Sequence, residues 1–246
     1  MMQENDLFTI LDVVESTNNY AMAKVHAGLA AHGQAWFANE QWGGRGQREK
    51  EWISAKGENI IMTVVLKPDK VFNKNLFLFS AMVAGVCHRF FSAVAGNETT
   101  IKWPNDIYFG DRKAGGILIE NIFKGSEWIW AAVGIGINVN QIDFKLANAN
   151  ATSLQIICNK IFEPIELGKK LHRILLENFE ESILFPDDYY VNYYNEHLYK
   201  KNQSVKLKKG NMVFTTTIKE VNRKGQLVTL DTLERQFNNG EVKWSL

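Results

Sequence analysis

Two cysteines and no excess of either charge set the first limits on this chain. Cys87 and Cys158 stand far apart in 246 residues, so no disulfide framework is available and a reducing cytoplasm is the expected location. Lys and Arg number 28 against 27 Asp and Glu, a formal charge of +1. Without a global field, coating of DNA or of an anionic membrane is not expected. Residues 1–6 carry Glu4 and Asp6 and lack the basic and apolar regions of a secretion signal. The most apolar run, Leu76 to Cys87, is about 12 residues long before His88 and Arg89, too short to cross a bilayer. The histidines His26, His32, His88, His172 and His197 are scattered, with no paired metal-ligand spacing. A Gly-x-Ser-x-Gly elbow and the Walker A spacing are both missing, and Glu49 stands where a dinucleotide fingerprint needs its third glycine.

What is present is an alternation of strands and helices. Residues 7–14 read as a strand, and Ser16-Thr17-Asn18 supplies an N-cap for a helix through about Ala30. Gly33 breaks that pattern, and Gln34 to Gln41 reads as a second strand. Asn59 to Leu66 is β-branched and apolar, a central strand ending before Pro68. Asn75 to Ala95, apolar nearly all round and closed by Gly96, predicts a buried helix. Strands are expected at 99–103, 107–109, 114–123 and 128–139, with a hairpin turn at Gly110-Asp111-Arg112. Two or three helices should cover 151–199. From Gln203 onward short alternating segments separated by glycine turns predict a five-stranded SH3-like module. The expected organisation is therefore residues 1–200 as one domain and 201–246 as a small β-barrel.

Three segments carry chemistry. In Trp42-Gly43-Gly44-Arg45-Gly46-Gln47 the glycines let backbone approach a ligand, and Arg45 offers a planar fork for phosphate or carboxylate. A glycine-rich surface turn with a solvated arginine accounts for that segment equally well. In Lys102-Trp103-Pro104-Asn105-Asp106, Pro104 stiffens a bend. Asn105 and Asp106 either cap that bend or present an amide to a base edge and a carboxylate to Mg²⁺. Lys113 opens the next strand, where Gly115 and Gly116, and later Gly134 and Gly136, leave room for close approach or tight sheet packing. Trp52 and Trp103 are candidates for stacking on a purine ring, although aromatics more often fill a core.

In this order and spacing the chain resembles the bacterial biotin protein ligases, the biotin–[acetyl-CoA-carboxylase] ligases. The resemblance runs from Ser16-Thr17-Asn18 through Gln41, Gly44-Arg45-Gly46, Trp52, Lys102 to Asp106, Lys113 to Glu120 and Gly134 to Asn138 into the terminal module. It implies an α+β fold with a mixed sheet, helices packed on one side, and an SH3-like barrel. It also implies a two-step ligase: biotin and MgATP give biotinyl-5′-AMP, and the acyl group passes to a lysine of a biotin carboxyl carrier domain.

Carried over residue by residue, the resemblance makes Lys113 and Arg45 catalytic. Biotin would be held by Ser16, Thr17, Asn18, Gln41, Gly44, Arg45, Gly46, Gln47, Lys113, Gly115, Gly116, Gly134 and Gly136. ATP would be held by Arg45, Trp52, Asn105, Lys113 and Asn138, with Asp106 as a Mg²⁺ ligand. The cofactors implied are ATP and Mg²⁺, with biotin as substrate, no DNA or membrane partner, and a monomer or homodimer. The early first strand suggests the form without an N-terminal DNA-binding domain. Two residues depart from the family: Gln47 replaces a basic residue and Glu49 a glycine, which predicts a weaker grip on the intermediate. The rivals are a lipoate or octanoate ligase or transferase of related fold, and a non-enzymatic nucleotide-binding module.

Overall fold

The computed structural model describes residues 7–69, 71–72, 75–144, 150–186 and 188–245. The acidic start at 1–6 and Leu246 lie outside the described residues. The first sheet has seven strands: β1 (Phe8–Val14), β2 (Ala35–Gln41), β3 (Asn59–Leu66), β4 (Thr99–Lys102), β5 (Asp106–Phe109), β6 (Arg112–Lys124) and β7 (Glu127–Asn138). Their order is β1-β2-β3-β7-β6-β5-β4. Only the β1–β2 pair is parallel, because α1 (Thr17–His26) crosses between them; the rest is antiparallel. This is the expected mixed sheet.

Every residue of β3 is buried, so both of its faces must be covered. Ile60, Met62, Val64 and Leu66 face a large core against α2 (Leu76–Ala95) and α4 (Pro164–Glu180). Together with α3 (Leu154–Cys158) and α5 (Tyr189–Glu196), these form the expected helix layer. The first helix is the exception. It lies on the opposite face, where Ala21 packs with Trp36, Val65 and Ala132.

One helix length differs from the sequence reading. The first helix ends at His26, since Gly28 at φ +70 stops it before Gly33 can. The helix expected over Asn75 to Ala95 forms as α2, whose apolar run of about 12 residues continues through His88 and Arg89 to give 20 residues, enough by length and composition to cross a bilayer. It is instead the central core helix. It absorbs His88 because both ring nitrogens are bonded, Nδ1 to the Tyr193 hydroxyl at 2.9 Å and Nε2 to the Thr99 carbonyl at 3.0 Å.

Five strands, β8 (Ser204–Lys209), β9 (Met212–Val221), β10 (Leu227–Leu230), β11 (Glu234–Phe237) and β12 (Lys243–Ser245), form the second sheet in the order β11-β10-β9-β8-β12. Its inner residues Leu207, Ile218, Val221 and Phe237 belong to the same hydrophobic core as β3 and α2. Directional bonds fix it further. The Trp103 indole donates to the Gly225 carbonyl at 3.0 Å, and the Asn195 amide makes two bonds to the backbone of Val221. The small module is thus clamped onto the first sheet.

Burial lowers the pKa of three histidines, His88 to about 4, with His32 and His197 moved in the same direction. Each is held neutral in the fold, whereas the unfolded chain takes up protons below about pH 6.5. Their stabilising contribution is therefore complete above that pH and is lost as pH falls toward 4. Thermal denaturation at pH 7.5 and 4.5 should show this loss, with His88 alone responsible for on the order of 3 kcal/mol. His88→Gln should flatten the pH dependence.

Candidate active site

The register of three strands builds the floor of a cleft. On the face opposite α2, Ile61 of β3, Gly136 of β7 and Gly116 of β6 lie in one row, which Asp106 of β5 extends. Thr63, Gly134 and Leu118 form the next row, and Val65, Ala132 and Glu120 the third. The first helix covers the third row. The first two stay open because their central positions are glycine.

Two side chains use that space. A Cβ on Gly136 would lie 2.5 Å from Cε2 of Trp52, and one on Gly116 would lie 3.2 Å from Cζ3 of the same ring. A Cβ on Gly134 would lie 2.2 Å from Oδ1 of Asn18. The contacts at Gly136 and Gly134 are closer than a side-chain carbon permits, so glycine at those two positions is a steric requirement, while Gly116 is tight. Trp52 lies flat on the floor with its indole N–H buried and without a hydrogen-bond partner. An orphaned buried donor calls for an acceptor, which a bound ligand can supply.

One end of the cleft is a polar network. Ser16 caps the first helix by accepting from Asn19 N–H and thereby presents Thr17 and Asn18 to the floor. Contacts at 2.9 and 2.6 Å join the Thr63 hydroxyl to Thr17 Oγ1 and Asn18 Oδ1. Asn18 donates at 2.9 Å to Glu120, and Gln41 Oε1 accepts from Thr17 N–H at 3.4 Å. The other end is cationic. A bulge in the β5–β6 pairing leaves Ala114 as an extra residue, so Lys113 and Gly116 face the same side despite their odd spacing. Lys113 Nζ sits 2.7 Å from Asp106 Oδ1 and 5.5 Å from the centre of the Trp52 ring. Arg45 stands beside the polar network, donating to Asn19 at 2.8 Å and pairing with Glu120 at 3.1 Å.

Most of the residues expected from sequence meet here: Ser16, Thr17, Asn18, Gln41, Arg45, Gly46, Gln47, Trp52, Asn105, Asp106, Lys113, Gly116, Gly134 and Gly136 all line a cleft of about 430 Å³. Gly44 supports it from behind, its carbonyl accepting from Trp52 N–H at 2.8 Å. Gly115 does not line the cleft. A Cβ there would meet the Gly136 carbonyl at 2.9 Å and the side chains of Ile137 and Ile107, because the bulge turns Gly115 toward the core. Asn138 also stays outside the lining. Its side chain is buried and donates to the Thr152 carbonyl at 3.0 Å. Asn105 is at the cleft but gives its amide to the Ile117 carbonyl. Trp103 also lines the cleft, with its indole N–H given to the small module. Among the described residues no three His, Cys, Asp or Glu side chains gather for a metal, so Asp106, already paired with Lys113, is the candidate carboxylate.

Sequence reasoning missed several residues. Thr63 is the one hydroxyl inside an otherwise apolar strand segment, a usable signal. Glu120 was visible only as the end of a motif. Asn239, Gly240, Val242, Lys243 and Trp244 complete the wall, although all candidate residues were expected before Asn140. Trp244 joins Tyr108 and Tyr199 around the Lys102 ammonium, at 4.9, 4.3 and 5.1 Å from the ring centres. Nζ of Lys102 also donates to the Tyr108 hydroxyl at 3.1 Å. Burial brings Lys102 down to about 8, Asp106 opposing that shift and Lys113 adding to it.

The sequence pattern described as the biotin/lipoate A/B protein ligase family matches residues 10–140. The chain belongs to that family. The matched stretch holds the floor, the polar network and both cationic groups. Among family relatives, the bifunctional ligase/repressor BirA of Salmonella typhimurium is 30% identical over 182 residues, covering 72% of this chain and 56% of its own. A biotin–[acetyl-CoA-carboxylase] ligase of Paracoccus denitrificans is 36% identical over 127 residues, 51% of each chain. The chain spans about half the length of these curated relatives. Among solved structures, the biotin protein ligase of Aquifex aeolicus in complex with biotin and ATP superposes with a TM-score of 0.80 at 25% identity, over 96% of this chain and 97% of its own.

Gly136→Ala tests the floor. The added methyl group should expel the Trp52 ring, at a cost of about 1–3 kcal/mol. The expected result is a lower melting temperature together with a red shift in tryptophan emission.

Proposed function

We propose that the chain is a biotin–protein ligase that joins biotin to AMP and passes the biotinyl group to a lysine of a biotin carboxyl carrier domain. The observation that carries this reading is the polarity of the cleft: hydroxyls and amides of Thr17, Asn18, Gln41 and Thr63 at one end, with Arg45 beside them through Asn19 and Glu120, and Lys113 at the other. A ureido ring needs donors and acceptors together, and this network offers both, whereas a dithiolane or an alkyl chain would gain nothing from the polar groups it desolvates. The carboxylate of a ligand seated on the polar network would point along the glycine floor toward Lys113.

In the first step a carboxylate oxygen bonds to the α-phosphorus of ATP and pyrophosphate leaves. Two anions must meet, so fixed positive charge lowers the barrier most. Asp106 holds Lys113 in place, and Glu120 with Asn19 holds Arg45 at the edge of the polar network. Asp106 is a lone carboxylate, which suits Mg²⁺ arriving on the triphosphate with most of its shell from phosphate and water. When bound, that ion would offset phosphate charge. In the second step the carrier amine attacks the acyl carbon, the bond to AMP breaks, and the amine loses a proton. Since the adenylate is itself the activated species, no protein nucleophile is needed. The loop over the cleft protects it from water. The free thiols of Cys87 and Cys158 suit the cytoplasm in which we place the enzyme.

The deciding experiment is mass spectrometry of a carrier domain after incubation with enzyme, MgATP and either biotin, lipoate or octanoate. Modification by biotin alone is expected, and transfer of lipoyl or octanoyl groups would support the rival acyl ligase. Lys113→Ala should keep the fold, because the pair with Asp106 is partly exposed and such pairs contribute about 1 kcal/mol or less. It should slow pyrophosphate release by about 10²–10³, the effect of losing one preorganised charge. A rate near wild type would remove Lys113 from the chemistry.

A further inference from the structure

The segment from Gly43 to Trp52 is a small hairpin. Gly46 N–H donates to the Lys50 carbonyl at 2.6 Å, and Arg45 bridges to Glu51. Its tip is a 3₁₀ turn, Gln47–Glu49, in which Arg48 takes the left-handed conformation at φ 57 and ψ 52. That turn sends the side chains of Gln47 and Arg48 across the cleft to the small module. Nδ2 of Asn239 donates to Gln47 Oε1 at 3.0 Å. The Arg48 guanidinium donates to the Asn239 carbonyl and lies over Gly240, at φ +85, where any Cβ would collide with it.

The receiving turn is rigid in its own right. Asn238 N–H and Nδ2 both donate to the Glu241 carboxylate, at 3.2 and 3.0 Å. Gln226 donates to Asn238 Oδ1 at 3.2 Å. The module behind the turn is fixed through Trp103, Asn195 and the cage around Lys102. A hairpin with few backbone bonds therefore rests on a braced turn.

We propose that this turn is a docking post for the hairpin, with Asn239 as a positioning residue that holds the hairpin closed and sets how long the intermediate stays bound. The proposal rests on the reading of the cleft as an adenylating ligase site. It gives Gln47 a role that its departure from a basic residue hides. Glutamine at 47 offers the Asn239 amide both an acceptor and a donor, whereas an arginine would bring donors only. Retention of the intermediate then depends on an amide pair between residues 192 positions apart rather than on a second cation in the loop.

The test uses the full chain as wild type, Asn239→Ala, Gln47→Ala, the double variant, and Gln47→Arg with Asn239→Asp, which rebuilds the contact as an ion pair. The ligand-free arm follows tryptic cleavage after Arg45, Arg48 and Lys50 beside the melting temperature. Asn239 is exposed, so its truncation should leave melting unchanged while cleavage rises about tenfold, the equivalent of one hydrogen bond of about 1.4 kcal/mol. The ligand arm adds biotin and MgATP. Release of biotinyl-AMP should quicken about tenfold and KM for biotin should rise. The double variant should be no worse than either single one, and the rebuilt ion pair should restore retention. Unchanged cleavage and unchanged release in Asn239→Ala, or additive effects in the double variant, would overturn the proposal. If wild type forms no adenylate, the ligase reading fails, and the cleavage arm still decides whether the post exists.

Discussion

A β-sheet ordinarily presents a side chain every second residue on each face, which leaves no room for a ligand to lie against backbone. The cleft exists because the register of β3, β7 and β6 brings Gly116, Gly134 and Gly136 to the centre of adjoining rows on one face. Asn18 and Trp52 then approach the sheet more closely than a methyl group would allow. A one-residue slip of β7 would turn Ile135 and Ile137 onto that face and fill the cleft. The buried face of β3 guards against the slip, since its alternation is fixed by the core beneath. The large core therefore sets the position of the site as well as the stability of the fold.

On this floor the charges are arranged in pairs. Lys113 has Asp106, Arg45 has Glu120, and Lys102 has three aromatic rings in place of a carboxylate. The first two pairs are partly open to solvent and contribute little to stability; their value is orientation. Lys102 is the costly one, because burial disfavours its charge. The ring faces recover part of that cost through cation–π attraction. Two of those rings, Tyr108 and Tyr199, precede the small module, and Trp244 lies within it, so the cage also ties the module to the catalytic sheet.

The elements of the first domain were legible because each left a local mark: the β-branched run of β3, the cap at Ser16, and the glycine after α2. The site motifs were legible because glycines and cations sat together at strand ends. The faces of individual residues were harder to read. Gly115 and Gly116 look equivalent as a dipeptide, and only the bulge at Ala114 decides which of them meets the cleft. Asn138 carries an amide at a strand end next to the glycines, and only the fold shows that Thr152 claims it. The contribution of Asn239, Lys243 and Trp244 had no local signal at all. It depends on how one sheet docks on another, which is set by packing between distant segments rather than by any pattern within them.

The joint between the two sheets has a consequence for the order in which the molecule comes apart. The floor is held by long ladders between β3, β7 and β6, whereas the cleft's outer wall belongs to short strands at the edge of the shared core, docked by apolar packing with a few indole and amide bonds. Openings below global unfolding draw on the weakest cooperative unit first. In amide hydrogen exchange the wall would lose protection earlier than the floor, and the empty cleft would open while the sheet beneath it stayed intact. A ligand that touches both would couple the two units, so its binding would appear as slowed exchange in β10–β12 as well as in the residues it contacts.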